Sequence, residues 1–334
     1  MKIGIALSGG VDSAAAAALM KEQGHEVIGI SLDMGYGNLD DAGRVADCLK
    51  IEHQVFDEKA AFQKEVIDYF VKEYMSGRTP SPCCVCNRKI KFEKMKEYAK
   101  RLGLEALATG HYAIKKEGGL YKGKNRKKDQ SYFLYGLTKE QIAFARFPLG
   151  ETEDKKQTRE IAERYGIPIS DKEDSQDICF LGEYKDYREF LVSQGVTKTS
   201  GDITDKEGNI LGRHKGIIEF TVGQRRGLGI SDKKPLFVTK IEGNKIIVGE
   251  REDLGKKIIK IENVNWIAED IESEELDVEV KMRSTQEPVR AVYRKDIGEV
   301  ELADINYGVA AGQSCVMYRE ERLLGGGVIQ SVEC

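Results

Sequence analysis

The chain has 334 residues, 40% of them hydrophobic and 32% charged, with 35 glycines and only 6 prolines. Such a length exceeds one ordinary core and predicts two or three domains, and the apolar fraction excludes a disordered chain. The net charge of −4 argues against a protein that coats nucleic acid without specificity, though not against a local basic face. The longest apolar stretch, Ile3–Met20, is interrupted by Asp12, which argues against a membrane span or a signal peptide and makes a cytoplasmic protein the expectation.

Lys2–Leu7 reads as a buried strand that runs into a glycine pair. Asp12–Gln23 reads as an alanine-rich helix, Glu26–Leu32 as a second strand, Asp40–Leu49 as a helix and Glu52–Phe56 as a third strand. Phe62, Val66, Phe70 and Tyr74 recur at a helical period that Gly77 stops; Phe92, Met95, Ala99 and Leu102 line a further helix ending at Gly103. Leu104–Thr109 is another buried strand, and strands alternating with helices predict a parallel, doubly wound sheet. The turn-rich stretch that follows holds a helix, Thr158–Tyr165, closed by Gly166 and Pro168. Beyond Gly201 short β-rich runs take over. Val278–Met282, Val289–Tyr293, Val300–Ala303 and Ser314–Tyr318 read as strands of a small barrel or sandwich. The texture changes place domain limits at 1–199, 200–255 and 256–334.

The sharpest motif is Ser8-Gly9-Gly10-Val11-Asp12-Ser13, between the first strand and the first helix. Glycines let the backbone approach an anion closely, and a helix start offers free N–H groups and the positive end of a dipole. Ser8 and Ser13 can donate to phosphate oxygens, whereas Asp12 suits a Mg²⁺ ion or a loop amide. The hexapeptide resembles the pyrophosphate-binding loop of the ATP pyrophosphatase superfamily, whose members cleave ATP between the α and β phosphates. It lacks the lysine of a Walker A loop.

Seven cysteines stand at 48, 83, 84, 86, 179, 315 and 334. An odd number with three inside four positions does not form a disulfide framework; it points to redox, sulfur or metal chemistry. Cys83, Cys84 and Cys86 lie in a loop that Pro80 and Pro82 stiffen, and Arg88 and Lys89 follow, where a cation would favour a thiolate. Three readings compete for this loop. The thiols are buried small hydrophobes, as suits Cys48 and Cys315. Or Cys83 and Cys86 are half of a zinc knuckle, although the chain has no second Cys-x-x-Cys. Or Cys86 and Cys179 meet over the nucleotide and perform sulfur chemistry, the reading favoured by the neighbouring phosphate loop.

With these residues the chain resembles the tRNA-specific 2-thiouridylases almost end to end. The carriers are Ser8–Ser13, Gly77–Phe92, Ala108–Ala113, Lys128–Leu137, Phe147–Glu151, Asp174–Gly182, Phe220–Ile230, Ala311–Gln313 and Leu324–Ile329. The resemblance implies a nucleotide-binding α/β domain with a Rossmann-like parallel sheet, a small central domain and a C-terminal β-barrel. It implies ATP and Mg²⁺ as cofactors and tRNAs for lysine, glutamate and glutamine as substrates. ATP would be held by Ala6, Leu7, Ser8, Gly9, Gly10, Val11, Asp12 and Ser13, with Leu32 and Gly110. Cys86 would be the nucleophile and Cys179 the persulfide carrier, reloaded by a cysteine desulfurase or sulfur-relay protein. Ser81, Pro82 and Cys83 would face the target base, and His111, Lys128, Asp129, Gln130, Arg283, Ser284 and Gln313 would touch tRNA. The chain departs from the family in a shorter segment at Asp33–Asp41, in Asp177 where glycine is usual, and in the extra thiol Cys84.

The chemistry is coherent. Uracil C2 is a poor electrophile until its oxygen is adenylated, which makes AMP the leaving group. A persulfide then supplies sulfur, and attack by Cys86 would leave a Cys86–Cys179 disulfide. Three thiols also permit an alternative, a 4Fe–4S cluster on Cys83, Cys86 and Cys179 with one iron open to sulfide. The lysine-rich run Lys115–Lys128, with Tyr112, Tyr132 and Phe133 beside it, and the pair Arg225–Arg226 could form an RNA face or merely a solvated one. Two rival functions are an enzyme adenylating a small molecule, as NAD and GMP synthetases do, and a non-catalytic sulfur carrier or nucleotide sensor.

Overall fold

A computed structural model describes residues 1–167, 178–230, 234–269, 271 and 273–333. Asp174, Asp177, Pro168 and Cys334, singled out in the sequence, fall outside them.

The N-terminal strands are β1 (Lys2–Ala6), β2 (Glu26–Asp33), β3 (Glu52–Asp57) and β4 (Ala106–Ala108). A hairpin of β5 (Ala113–Lys116) and β6 (Gly119–Lys122) follows, then β7 (Ala145–Arg146). Five of these make one parallel sheet in the order β3-β2-β1-β4-β7. The expected doubly wound sheet is therefore present. Its middle strand carries Ile3 and Ile5, both buried, as a strand covered on two faces must. Helix α1 (Val11–Glu22) shows no solvent to Ala14–Ala18. It lies among the sheet, α2 (Leu39–Leu49) and the helix Lys155–Arg164, in one core with Val45, Ile161 and Ala162. Five alanines in a row allow that close approach, and a larger side chain there would overpack by about 1–3 kcal/mol.

The opposite face of the sheet carries the helical stretches 59–75 and 82–101. Phe62, Phe70, Phe92, Tyr132, Phe180 and Phe190 share their core. Residues 201–249 form a small mixed sheet of β8 (Gly201–Thr204), β9 (Ile210–His214), β10 (Phe237–Glu242) and β11 (Lys245–Gly249), ordered β10-β11-β8-β9. Ile203, Phe220, Val238, Ile246 and Val248 fill it.

The last six strands are β12 (Gly255–Trp266), β13 (Glu275–Lys281), β14 (Val289–Arg294), β15 (Glu299–Tyr307), β16 (Ser314–Arg319) and β17 (Arg322–Glu333). They run antiparallel, and pairing of β12 with β17 closes them into a six-stranded barrel rather than a sandwich. Val280, Val300, Leu302, Met317 and Ile329 are buried within it.

The hairpin β5–β6 corrects the reading of the lysine-rich run. It extends the barrel sheet rather than the N-terminal one, with Tyr121 opposite Arg322 and Leu120 opposite Leu323. Lys122 is buried there, donating to the Glu320 carbonyl at 2.7 Å and lying 4.8 Å from the centre of the Tyr318 ring. Lys115 donates to the carbonyls of Ala143 and Ala145 at the end of a short helix. Lys124 pairs with Glu153, and Arg126 with Glu321. Much of the run is thus joinery between segments.

Candidate active site

The phosphate loop follows β1 at the carboxyl edge of the parallel sheet, where open α/β sheets bind ligands. Ser13 Oγ donates to the Gly10 carbonyl at 2.8 Å, and the Ser8 amide donates to Ser13 Oγ at 3.2 Å. These bonds wrap the loop around the helix start. Gly10 caps α1 in an extended conformation, and no side chain bonds the helix start. The first-turn N–H groups therefore point toward whatever anion occupies the loop. Gly9 has φ +74°, and an added Cβ would stand 2.6 Å from the Asn38 carbonyl oxygen. Gly9→Ala is therefore expected to cost about 1–2 kcal/mol in left-handed backbone strain, besides the clash. Calorimetry should show ATP affinity at least about tenfold weaker. Unchanged affinity would contradict the loop's role.

Gly110, just beyond β4, backs onto the main chain of Asp12 and Ser13. Ala6 ends β1, and Leu32 lies near the end of β2, with its side chain in the core. Loop, Leu32 and Gly110 thus share one edge, where Leu32 can offer only its main chain.

Asp12 has partners the sequence did not indicate. Its Oδ1 accepts from Tyr112 Oη and from Lys155 Nζ, each at 2.6 Å. The Tyr112 hydroxyl also lies 3.0 Å from Thr158 Oγ1. Tyr112 is 1% exposed, so it is a support for the loop and not a platform for a base. Tyr132, at 2% exposure with its hydroxyl donating to the Ser314 carbonyl, is likewise core. Lys155 opens a helix whose first turn is capped by Asp154 and whose Ile161 and Ala162 pack in the core with α1, which sets it beside the loop. One carboxylate plus phosphate oxygens is the usual protein share of a Mg²⁺ site, and Asp12 with a bound nucleotide fits that requirement.

The cysteine loop leads into a short helix, Pro82–Cys86, then a π-helical turn, Asn87–Phe92. Cys84 is buried, with Ser314 Oγ 3.6 Å from its sulfur, and is a packing residue. Cys86 is buried, Cys83 half-buried and Cys179 exposed. Ser81 is half-buried and Pro82 buried, so of the three residues expected against the base only Ser81 and Cys83 show a surface. Cys179 opens a turn, Cys179–Leu181, that Phe180 anchors among Phe62, Phe70 and Phe190, with ring centroids 6.0, 5.1 and 4.9 Å away. Cys83 and Cys179 both lie within electrostatic reach of Cys86. The structure thus brings together the two thiols that the sequence separates. They are free thiols here, and among the described residues no three His, Cys, Asp or Glu side chains are grouped to hold a metal ion.

The cation facing these thiols is Lys91, not Arg88 or Lys89. Lys91 lowers the pKa of Cys83, Cys86 and Cys179 alike, whereas Lys89 pairs with Glu93. Lys91 sits in the π turn Asn87–Phe92, which follows Cys86 directly. Burial still dominates, pushing Cys86 up to about 12 and raising Cys83 and Cys179.

Cys84 and Cys315 are pushed to about 12 by burial as well. Unfolded thiols ionise near pH 8.5, so above that the folded state binds more protons than the unfolded one. Stability contributed by these groups is complete below the unfolded value and is lost as pH rises toward 12, by about 1.4 kcal/mol per pH unit for each buried thiol. Thermal melts between pH 8 and 11 should show a steadily falling midpoint. A flat profile would contradict the burial of these sulfurs.

The residues expected to touch RNA are unevenly available. His111 packs its ring against Phe92 and Phe147, its Nδ1 lies 2.8 Å from Thr109 Oγ1, and burial lowers its pKa to about 3. It is a neutral imidazole and no cationic phosphate ligand. Asp129 accepts from the amides of Gly123 and Ser131, and Gln130 accepts from the Tyr112 amide. Lys128 is half-buried in the same segment. Arg283 is exposed beside Ser284 and donates to the Gly308 carbonyl. Gln313 bonds the cysteine loop itself, with Nε2 2.8 Å from the Thr79 carbonyl. Arg225 and Arg226 are exposed on the central sheet's loop.

Three family models match the chain: a tRNA methyl transferase HUP domain over residues 1–183, a tRNA methyl transferase PRC-barrel domain over 188–250 and an aminomethyltransferase β-barrel domain over 256–329. Among curated proteins, a tRNA-specific 2-thiouridylase MnmA from Paramagnetospirillum magneticum is 42% identical, covering 98% of this chain and 95% of its own length. One of the same name from Rickettsia prowazekii is 44% identical, with 98% of each chain covered. The solved NMN synthetase of Francisella tularensis superposes with a TM-score of 0.37 and 19% identity, covering 59% of this chain and 79% of that one. By full-length identity and by the three matching domain models, the chain belongs to the tRNA-specific 2-thiouridylase family.

Proposed function

We propose that the chain is an ATP-dependent sulfurtransferase that installs sulfur at C2 of the wobble uridine in tRNAs for lysine, glutamate and glutamine. The observation that carries this reading is the union, in one domain, of an uncapped helix start behind Ser8–Ser13 and two thiols drawn to one core, which holds Cys86 and Phe180, the neighbour of Cys179. Full-length relatives named tRNA-specific 2-thiouridylase support the substrate. In this scheme 1–199 is the unit of ATP and sulfur chemistry, 200–255 a small central unit, and 256–334 a barrel that meets RNA with the exposed Arg283.

The loop amides, Ser8, Ser13 and Lys155 would hold the phosphates of ATP while uridine O2 attacks the α-phosphate and pyrophosphate departs. Mg²⁺ would neutralise phosphate charge beside Asp12. The terminal sulfur of a Cys179 persulfide then attacks C2, and AMP leaves with the original oxygen. Cys86, as thiolate, attacks Cys179 Sγ. The S–S bond to the transferred sulfur breaks, 2-thiouridine leaves, and a Cys86–Cys179 disulfide forms that a thiol reductant resets with two electrons. Exposure of Cys179 suits reloading by a cysteine desulfurase or relay protein. Lys91 would stabilise the sulfur anions.

The test is direct. Purified protein, unmodified tRNA, ATP, Mg²⁺ and a persulfide donor should yield 2-thiouridine by nucleoside mass spectrometry. Pyrophosphate release with a small acceptor in place of tRNA would favour the synthetase reading instead. A second reading rests on Cys83, the third thiol near Cys179. Iron with visible cluster absorption in anaerobically purified protein would favour it. Iron-free protein that is fully active with a persulfide donor would end it.

A further inference from the structure

The cysteine loop cannot hold itself. Pro80 and Pro82 lack N–H groups, so its polar main chain must find partners outside. The barrel supplies them from the loop between β15 and β16. The Thr79 amide donates to the Ala311 carbonyl at 2.8 Å. Gln313 Nε2 donates to the Thr79 carbonyl at 2.8 Å and to the Pro80 carbonyl at 3.4 Å, and its Oε1 accepts from Ser81 Oγ at 3.5 Å. Gly312, at φ +90°, lies so close that an added Cβ would stand 3.0 Å from the main chain of Thr79. Behind this contact the Gly312 amide donates to the Ile329 carbonyl and the Ile329 amide to the Gln313 carbonyl, both at 2.8 Å, which ties the loop to β17. Arg78 completes the junction, paired with Glu73 at 2.8 Å and with Glu262 on β12 at 2.9 Å.

We infer that Gln313 is a positioning residue: the barrel uses its amide to fix Thr79–Ser81, and thereby the place at which the helix Pro82–Cys86 presents Cys83 and Cys86. Both ends of the side chain face the loop, Nε2 closely and Oε1 at 3.5 Å. The inference rests on the sulfurtransferase reading only in its activity arm, because thiol accessibility can be read without turnover.

Gln313→Glu keeps the shape but removes both donors and sets a carboxylate against two carbonyls. With saturating tRNA, kcat for 2-thiouridine formation should fall about tenfold, while KM and Kd for tRNA stay within about twofold. In tRNA-free protein, iodoacetamide should label Cys83 at least about threefold faster, as read by peptide mass spectrometry. Gly312→Ala, which pushes the barrel loop off Thr79 without touching the amide, should give the same pattern. Raised KM and Kd with unchanged kcat and labelling would overturn the inference and leave Gln313 an RNA contact. Should the glutamate variant melt early, Gln313→Met repeats both measurements, and wild-type values there would also overturn it. A wild-type protein that makes no 2-thiouridine defeats the functional reading alone, since the labelling arm still decides the clamp.

Discussion

Cys179→Ser is expected to abolish 2-thiouridine formation while tRNA affinity stays within about twofold of the parent protein. A serine hydroxyl cannot carry a sulfane sulfur, so transfer stops at its first covalent step. The substitution is otherwise mild: Cys179 is exposed, and the turn that carries it is anchored by Phe180 in the aromatic core and not by the thiol. Gel-shift assays with unmodified tRNA and nucleoside mass spectrometry read the two quantities separately. Residual turnover above a few per cent would show that sulfur travels by another thiol, such as the half-buried Cys83. Cys86→Ser should differ in kind. Its Cys179 persulfide can load and attack, but release of the product stalls, and a tRNA-linked disulfide on Cys179 should accumulate.

Asp12→Ala should lower tRNA-dependent pyrophosphate release by at least about 100-fold, while the Cys179 persulfide still loads from a donor. The cause is visible at the loop. One carboxylate oxygen receives both the Tyr112 phenol and the Lys155 ammonium at 2.6 Å. Removing it takes away the acceptor of the phenol and the carboxylate partner of Lys155 beside the phosphate loop, at a cost of about 1–3 kcal/mol. Asp12→Asn, which keeps an acceptor without the charge, should fall between. Tyr112→Phe, which keeps the ring and the Asp12–Lys155 pair, should cost far less than either. Normal pyrophosphate release by the alanine variant would remove the loop from the adenylation step.

Parts of this site were legible because their signals are local. The apolar run Lys2–Leu7 followed by two glycines, and the alanine run after Asp12, each report on a few neighbouring residues, and strand, loop and helix lie where they predict. Cys86 and Cys179 were legible as chemistry, since three thiols in a proline-framed loop have few uses. Lys91 was not, because in an ordinary helix residues five apart point to different sides and nothing in the letters marks the π turn. Lys155 and Tyr112 were hidden for a different reason: their link to Asp12 spans the chain and depends on how two helices pack against one sheet. The run Lys115–Lys128 misled because charge patterning is read residue by residue, whereas Lys122 is buried by a strand pairing made with the far end of the chain. The bond from the Gln313 amide to the cysteine loop was equally hidden, since it joins residues far apart in the chain.

The pairing of Tyr121 with Arg322 also constrains how the polypeptide is born. On the ribosome the hairpin Ala113–Lys122 emerges well before its partner strand, Arg322–Glu333, is translated. Until then the nascent chain carries a ribbon with one edge unpaired, the kind of edge that recruits strangers. A chain released before β17 is made would carry that edge unpaired, so the hairpin completes its ladder only together with the barrel.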